Sequence, residues 1–95
     1  MDWNLVSFVI SSKLRFRILI ELNKVKKTPS DLSHITKSPI SHVSSTIKEL
    51  EVKGLIKCLT PERRKNKFYE TTELGKELLD FISKETKRKS IFQEL

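Results

Sequence analysis

Two prolines ten residues apart, each directly behind a hydroxyl residue, constrain the fold of this chain more than any other feature. Proline suits the first position of a helix, where its missing N–H would have had no partner and its fixed φ is already helical. The residue in front of it, Thr28 or Ser38, can accept a hydrogen bond from the first turn and so cap the helix. Asp31 puts a negative charge where the helix dipole favours one. TPSDLSHI therefore reads as a short helix that buries Leu32 and Ile35, and Thr36, Lys37 and Ser38 as a turn. Pro39 then opens a second helix in which Ile40, Val43, Ile47 and Leu50 share one face, with Gly54 as its C-cap. Two short helices joined by so tight a turn predict a helix-turn-helix over about residues 29–53.

Beyond Gly54 the apolar period changes from helical to alternating. LIKCLT places Leu55, Lys57 and Leu59 on one side of a strand, with Ile56 and Cys58 on the other. FYETT is aromatic and β-branched, and the charged, turn-forming PERRKNK links the two, so a hairpin is predicted over about residues 55–72. Upstream, Leu14, Ile18 and Leu22 recur every fourth residue with Leu19 beside them, which predicts an amphipathic helix from Ser12 to about Lys24. Trp3, Val6 and Ile10, with Leu5, Phe8 and Val9, make the N-terminal segment apolar over most of a helical circumference. From Glu73 a last helix shows Leu74, Leu78, Phe81 and Ile82 on one face, before the basic stretch KETKRKS and the apolar end IFQEL. The predicted class is mostly α with a small β-hairpin, and 95 residues suit a single domain.

Nineteen Lys and Arg against twelve Asp and Glu give a formal charge of +7, which favours a polyanionic partner or an acidic surface. Hydrophobic residues make up 37% of the chain, enough for a core, so this charge does not mark a disordered polymer. Cys58 is the sole cysteine and can form no intramolecular disulfide, which points to the cytoplasm rather than to a stapled secreted domain. The apolar start MDWNLVSFVI carries Asp2 where a leader would carry cations, and it is too short to span a bilayer. His34, His42 and Cys58 are the only soft ligands and lack metal-site spacing. With two glycines there is no phosphate-cradling loop, and no nucleophile has an evident base. Neither enzyme activity nor a metal or cofactor is expected, and the sequence identifies no small-molecule effector.

A helix-turn-helix followed at once by a basic hairpin matches the way such motifs place their second helix in the major groove of duplex DNA. At 100° per residue, Ser41, Ser45, Lys48 and Val52 point away from the buried direction, flanked by His42 and Glu49. Short Ser hydroxyls let a helix sit deep in the groove, Lys48 can reach a phosphate or guanine, and Val52 a thymine methyl. The candidate reading residues are Ser38, Ser41, His42, Ser45 and Lys48. In the hairpin loop Arg63, Arg64, Lys65 and Lys67 against Glu62 carry a local net charge of +3, suited to phosphates or the minor groove.

Over roughly residues 12–82 the sequence resembles winged helix-turn-helix regulators of the ArsR and MarR type, especially small members of archaeal character. The resemblance is carried by SSKLRFRILIEL as support helix, TPSDLSHI as first motif helix, SPISHVSSTIKELEVKGLIKCL as recognition helix and strand, and ERRKNKFYETTELG as wing and next helix start. TELG at residues 72–75 is similar to the Thr-x-x-Gly that follows the wing in MarR-like proteins, although Thr71 stands where a hydrophobic residue is usual. The cysteine pair of metal-sensing ArsR proteins is absent. The resemblance implies a winged helix-turn-helix and a DNA-binding transcriptional regulator, with repression by promoter occlusion as the simplest mechanism.

The apolar residues of the N-terminal segment and of the helix over 73–84 exceed what a small helical core covers, so both are expected to build a homodimer through Trp3, Phe8, Leu79 and Phe81. The main alternative is a winged-helix interaction subunit of a transcription or replication assembly, because fold does not fix function. A third is a membrane-surface protein using the apolar start and the basic residues.

Overall fold

The computed structural model describes the backbone of residues 2–89 and the side chains of residues 2–85. The elements run α1 (Trp3–Ile10), α2 (Lys13–Lys24), α3 (Pro29–Thr36), α4 (Ile40–Val52), β1 (Ile56–Cys58), β2 (Tyr69–Thr71) and α5 (Glu73–Lys89). Part of KETKRKS and all of IFQEL lie outside the described residues.

Side-chain oxygens start four of the helices by accepting a first-turn N–H: Asp2 from Asn4, Ser12 from Arg15, Thr28 from Asp31 and Thr72 from Gly75. At α3 the arrangement is reciprocal, because the Asp31 carboxylate accepts the Thr28 N–H at 3.1 Å. The expectation that Ser38 caps the next helix is not met. Pro39 itself occupies the cap position of α4, with no side-chain hydrogen bond. The turn uses Ser38 differently: its carbonyl accepts from Ser33 Oγ at 2.6 Å and its hydroxyl donates to the Thr36 carbonyl at 3.4 Å. Lys37 closes α3 at φ 54°, the left-handed conformation that reverses the chain there.

Each helix lays a narrow apolar stripe on one shared core. Val6 and Val9 come from α1, Ile18, Leu19 and Leu22 from α2, Leu32 from α3, Val43, Ile47 and Leu50 from α4, and Leu78 and Ile82 from α5. Burying one such side chain contributes about 2 kcal/mol, so the three from α4 suffice to set the rotation of that helix about its axis. Ile40 departs from the expected buried face and is 48% exposed. As the first residue of α4 it overhangs an open cleft shared with Ser30, Ser33, His34 and Lys37.

A left-handed turn at Gly54, φ +76°, ends α4. The Gly54 N–H donates to the Glu51 carbonyl and the Leu55 N–H to that of Leu50, which satisfies two carbonyls that the last turn leaves open. Leu55 is thereby spent on helix closure, and the strand starts one residue later than the alternation suggested. Leu55 and Ile56 are both buried as a result. β1 and β2 pair antiparallel with Ile56 opposite Thr71, Lys57 opposite Glu70 and Cys58 opposite Tyr69. Lys27, just ahead of α3, adds a one-residue third strand by exchanging both backbone hydrogen bonds with Tyr69, at 3.1 and 2.9 Å. The architecture is a winged helix-turn-helix, mostly helical with a small hairpin.

Candidate nucleic-acid interface

With Val43, Ile47 and Leu50 fixed in the core, helical geometry turns the opposite side of α4 outward. Ser41, His42, Ser45 and Lys48 are all exposed there, as are Ser44 and Val52. Thr46 goes the other way and is buried. Ser38, the remaining candidate, is half-buried in the turn with its hydroxyl directed at the Thr36 carbonyl. Four of the five candidate reading residues therefore share one helix face, and the fifth belongs to the turn before it.

Glu49 lies on the His42 edge of the same face, and its carboxylate is engaged. Arg15 of α2 donates to it through Nε at 3.3 Å and Nη2 at 3.1 Å. Such a two-pronged pair is stronger and more directional than a single contact. It leaves hydroxyls, an imidazole and Lys48 as the unpaired polar groups around Ser41 on the Glu49 side of α4, while the exposed Glu51 lies about 80° from Ser41 on the opposite flank.

The loop over 59–68 keeps the wing candidates together. The Leu59 N–H donates to the Phe68 carbonyl at 2.7 Å, and the Thr60 hydroxyl accepts from the Phe68 N–H at 3.0 Å. Asn66 at φ 55° makes the return. Arg64 and Lys65 are exposed at the tip, and Lys67 is half-buried at the return. Arg63 is exposed but folds back, with Nη1 3.4 Å from the Asn66 carbonyl and its guanidinium 5.9 Å from the Phe68 ring centre. Lys26, from the connection before α3, lies over the same ring at 5.4 Å. Phe68 thus holds one cation from the hairpin loop and one from the connection before α3.

Of the expected dimer residues, Trp3 and Phe81 are brought together edge-on, ring centres 5.3 Å apart, with Trp3 60% exposed. Leu79 is half-buried against the core. Phe8 faces elsewhere, between the Arg15 guanidinium at 4.1 Å and Lys53 Nζ at 5.4 Å from its ring centre.

Local pattern did not reveal Arg15, Lys26 and Lys27. Arg15 and Glu49 are 34 residues apart, so no helical spacing announces the pair. A one-residue strand such as Lys27 has no period at all. Cys58 is half-buried at the base of the hairpin and hydrogen-bonded to Tyr69. Burial chiefly, then negative charge at Cys58 and Glu51 and this hydrogen bond, raises the Tyr69 pKa above the usual phenol value. Among the described residues no three His, Cys, Asp or Glu side chains gather as a metal site, and no helix is long and apolar enough to cross a membrane.

No curated protein matches the chain. A family model does match, that of the N-terminal domain of the methanogenesis regulatory protein FilR1, over residues 3–84. That span runs from the first residue of α1 through Lys84 of α5 and includes both the helix-turn-helix and the hairpin. With its winged-helix architecture and a match over most of its length, the chain belongs to the FilR1 N-terminal domain family.

Proposed function

We propose that this domain binds double-stranded DNA sequence-specifically and thereby regulates transcription, with α4 in the major groove and the wing along the adjoining backbone. One observation carries this reading: the core residues Val43, Ile47 and Leu50 hold α4 so that Ser41, His42, Ser45 and Lys48 form a single outward polar face. Membership in a regulatory family supports it, as does the net charge of +7. Arg64, Lys65 and Lys67 supply phosphate contacts from the loop, and Arg63 orders the loop before it contributes its charge. Kinship with the ArsR and MarR regulators is part of the same reading, supported by the Thr72 and Gly75 geometry at the foot of the wing.

In this reading the domain acts in the cytoplasm as a homodimer, and as a repressor by covering promoter DNA. The dimer face centres on the exposed Trp3 with Phe81 and Leu79, while Phe8 steadies α1 from behind. Selection of bound duplexes from random DNA tests the function directly. Enrichment of a motif retained far above competitor DNA at physiological salt is expected. Recovery of unselected sequence, with binding that vanishes in moderate salt, would overturn it.

A further inference from the structure

Arg15 stands where three helices meet and uses its donors within the protein. Nη1 donates to the Phe8 carbonyl at 2.9 Å near the end of α1, and to Ser11 Oγ at 3.4 Å. Nε and Nη2 take the two carboxylate oxygens of Glu49 on α4. The guanidinium also stacks on the Phe8 ring at 4.1 Å. Its side chain is 22% exposed, against 45% for Glu49. The carboxylate is therefore the solvent-facing partner of the pair, about 80° around the helix from Ser41.

A free carboxylate in that place would face the phosphates bordering the groove and repel them. We propose that Arg15 is a positioning residue for DNA binding that does not itself touch DNA. Its fork neutralises Glu49 and holds that carboxylate back against α2. This rests on the DNA-binding reading of α4.

The test measures affinity for a selected duplex, at several salt concentrations, for the parent domain and a set of variants. Arg15→Met exposes the Glu49 charge and is expected to weaken binding about fivefold at low salt, the effect of one uncompensated charge near the backbone. Glu49→Gln alone is expected to stay within about twofold of the parent. The double variant Arg15→Met/Glu49→Gln should recover to that level. Arg15→Met/Glu77→Gln restores the same net charge from an exposed position on α5 and should stay weak. Arg15→Gln keeps a donor for the Phe8 carbonyl but no charge, and it replaces Arg15→Met in every comparison should the latter unfold.

Parental affinity in Arg15→Met overturns the proposal, because Glu49 then needs no neutralisation. A double variant as weak as Arg15→Met overturns it, because removing the Glu49 charge then restores nothing. Equal recovery with Glu77→Gln reduces the effect to net charge and overturns it too. A parent domain that selects no duplex removes the DNA-binding reading and this inference with it, whereas the other outcomes leave DNA binding standing.

Discussion

Gly75 lies so close to the backbone carbonyl of Leu55 that a side chain there would overlap this oxygen and the Thr71 methyl. The contact sets the first turn of α5 directly on the end of α4's closing loop. Thr72, three residues earlier, completes the joint: its hydroxyl donates to the Gly54 carbonyl at 2.6 Å and accepts the Gly75 N–H at 3.2 Å. Its own N–H donates to the Leu55 carbonyl at 3.0 Å. The Thr-x-x-Gly at the foot of the wing is thus a cap and a close approach, needed together.

Gly75→Ala is expected to destabilise the domain by about 3 kcal/mol, because the obstruction is backbone and cannot rotate away. Thr72→Ala, which loses the cap, should cost about 1 kcal/mol. Urea titrations followed by circular dichroism measure both. An alanine variant as stable as the parent would show that α5 can lift off Leu55 freely.

Arg64 is exposed at the tip of the wing, with long reach and freedom to follow phosphates. Arg64→Ala should weaken binding to matched and scrambled duplexes alike and lower the slope of log affinity against log salt by about 1. Arg63→Ala should also loosen the loop, since it releases the Asn66 carbonyl and the Phe68 ring. An unchanged salt slope in Arg64→Ala would refute the wing assignment.

Ser41, His42 and Ser45 are instead proposed to read base edges. Alanine at Ser45 or His42 should reduce discrimination at particular base pairs by about 1 kcal/mol or more while barely moving the salt slope. Binding measured across single-base variants of the selected site checks this. Uniform weakening on every sequence would place these side chains on the backbone instead.

Trp3 keeps 60% of its surface exposed while its ring edge meets Phe81. If the proposed homodimer forms through Trp3, Trp3→Ala should shift it to monomer at tens of micromolar in sedimentation velocity, on the order of a 2 kcal/mol loss for an aromatic interface anchor. A parent that sediments only as monomer at that concentration would rule out the dimer.

Tyr69 has a raised pKa in the folded chain, so its neutral form is favoured there. The unfolded state loses the phenolic proton first, at about pH 10. The stability that Tyr69 contributes is full below that pH and is lost as pH rises from there through the folded value. Tyr69→Phe should flatten this alkaline decline relative to the parent, as read from urea midpoints between about pH 9 and 11. Parallel curves would mean that the phenol titrates alike in both states.

The helix-turn-helix was legible in the sequence because its determinants are local. Thr28, Pro29 and Asp31 act within one turn, the apolar repeats of α2 and α4 act within a helix, and Gly54 acts where the chain must turn left-handed. The polar face of α4 followed for the same reason, since a helix with three residues buried has its outer side dictated by period alone. Pairings between distant segments were not legible. Ser38 looks like a cap, yet the turn packing engages its hydroxyl at Thr36, and Ile40 has the spacing of a core residue yet overhangs the helix start. The bridge from Lys27 to Tyr69 and the fork from Arg15 to Glu49 join residues 42 and 34 positions apart, and their energies depend on how the helices meet. Local sequence chose the elements and which side each buries; tertiary packing decided which charges remained free on the exposed side.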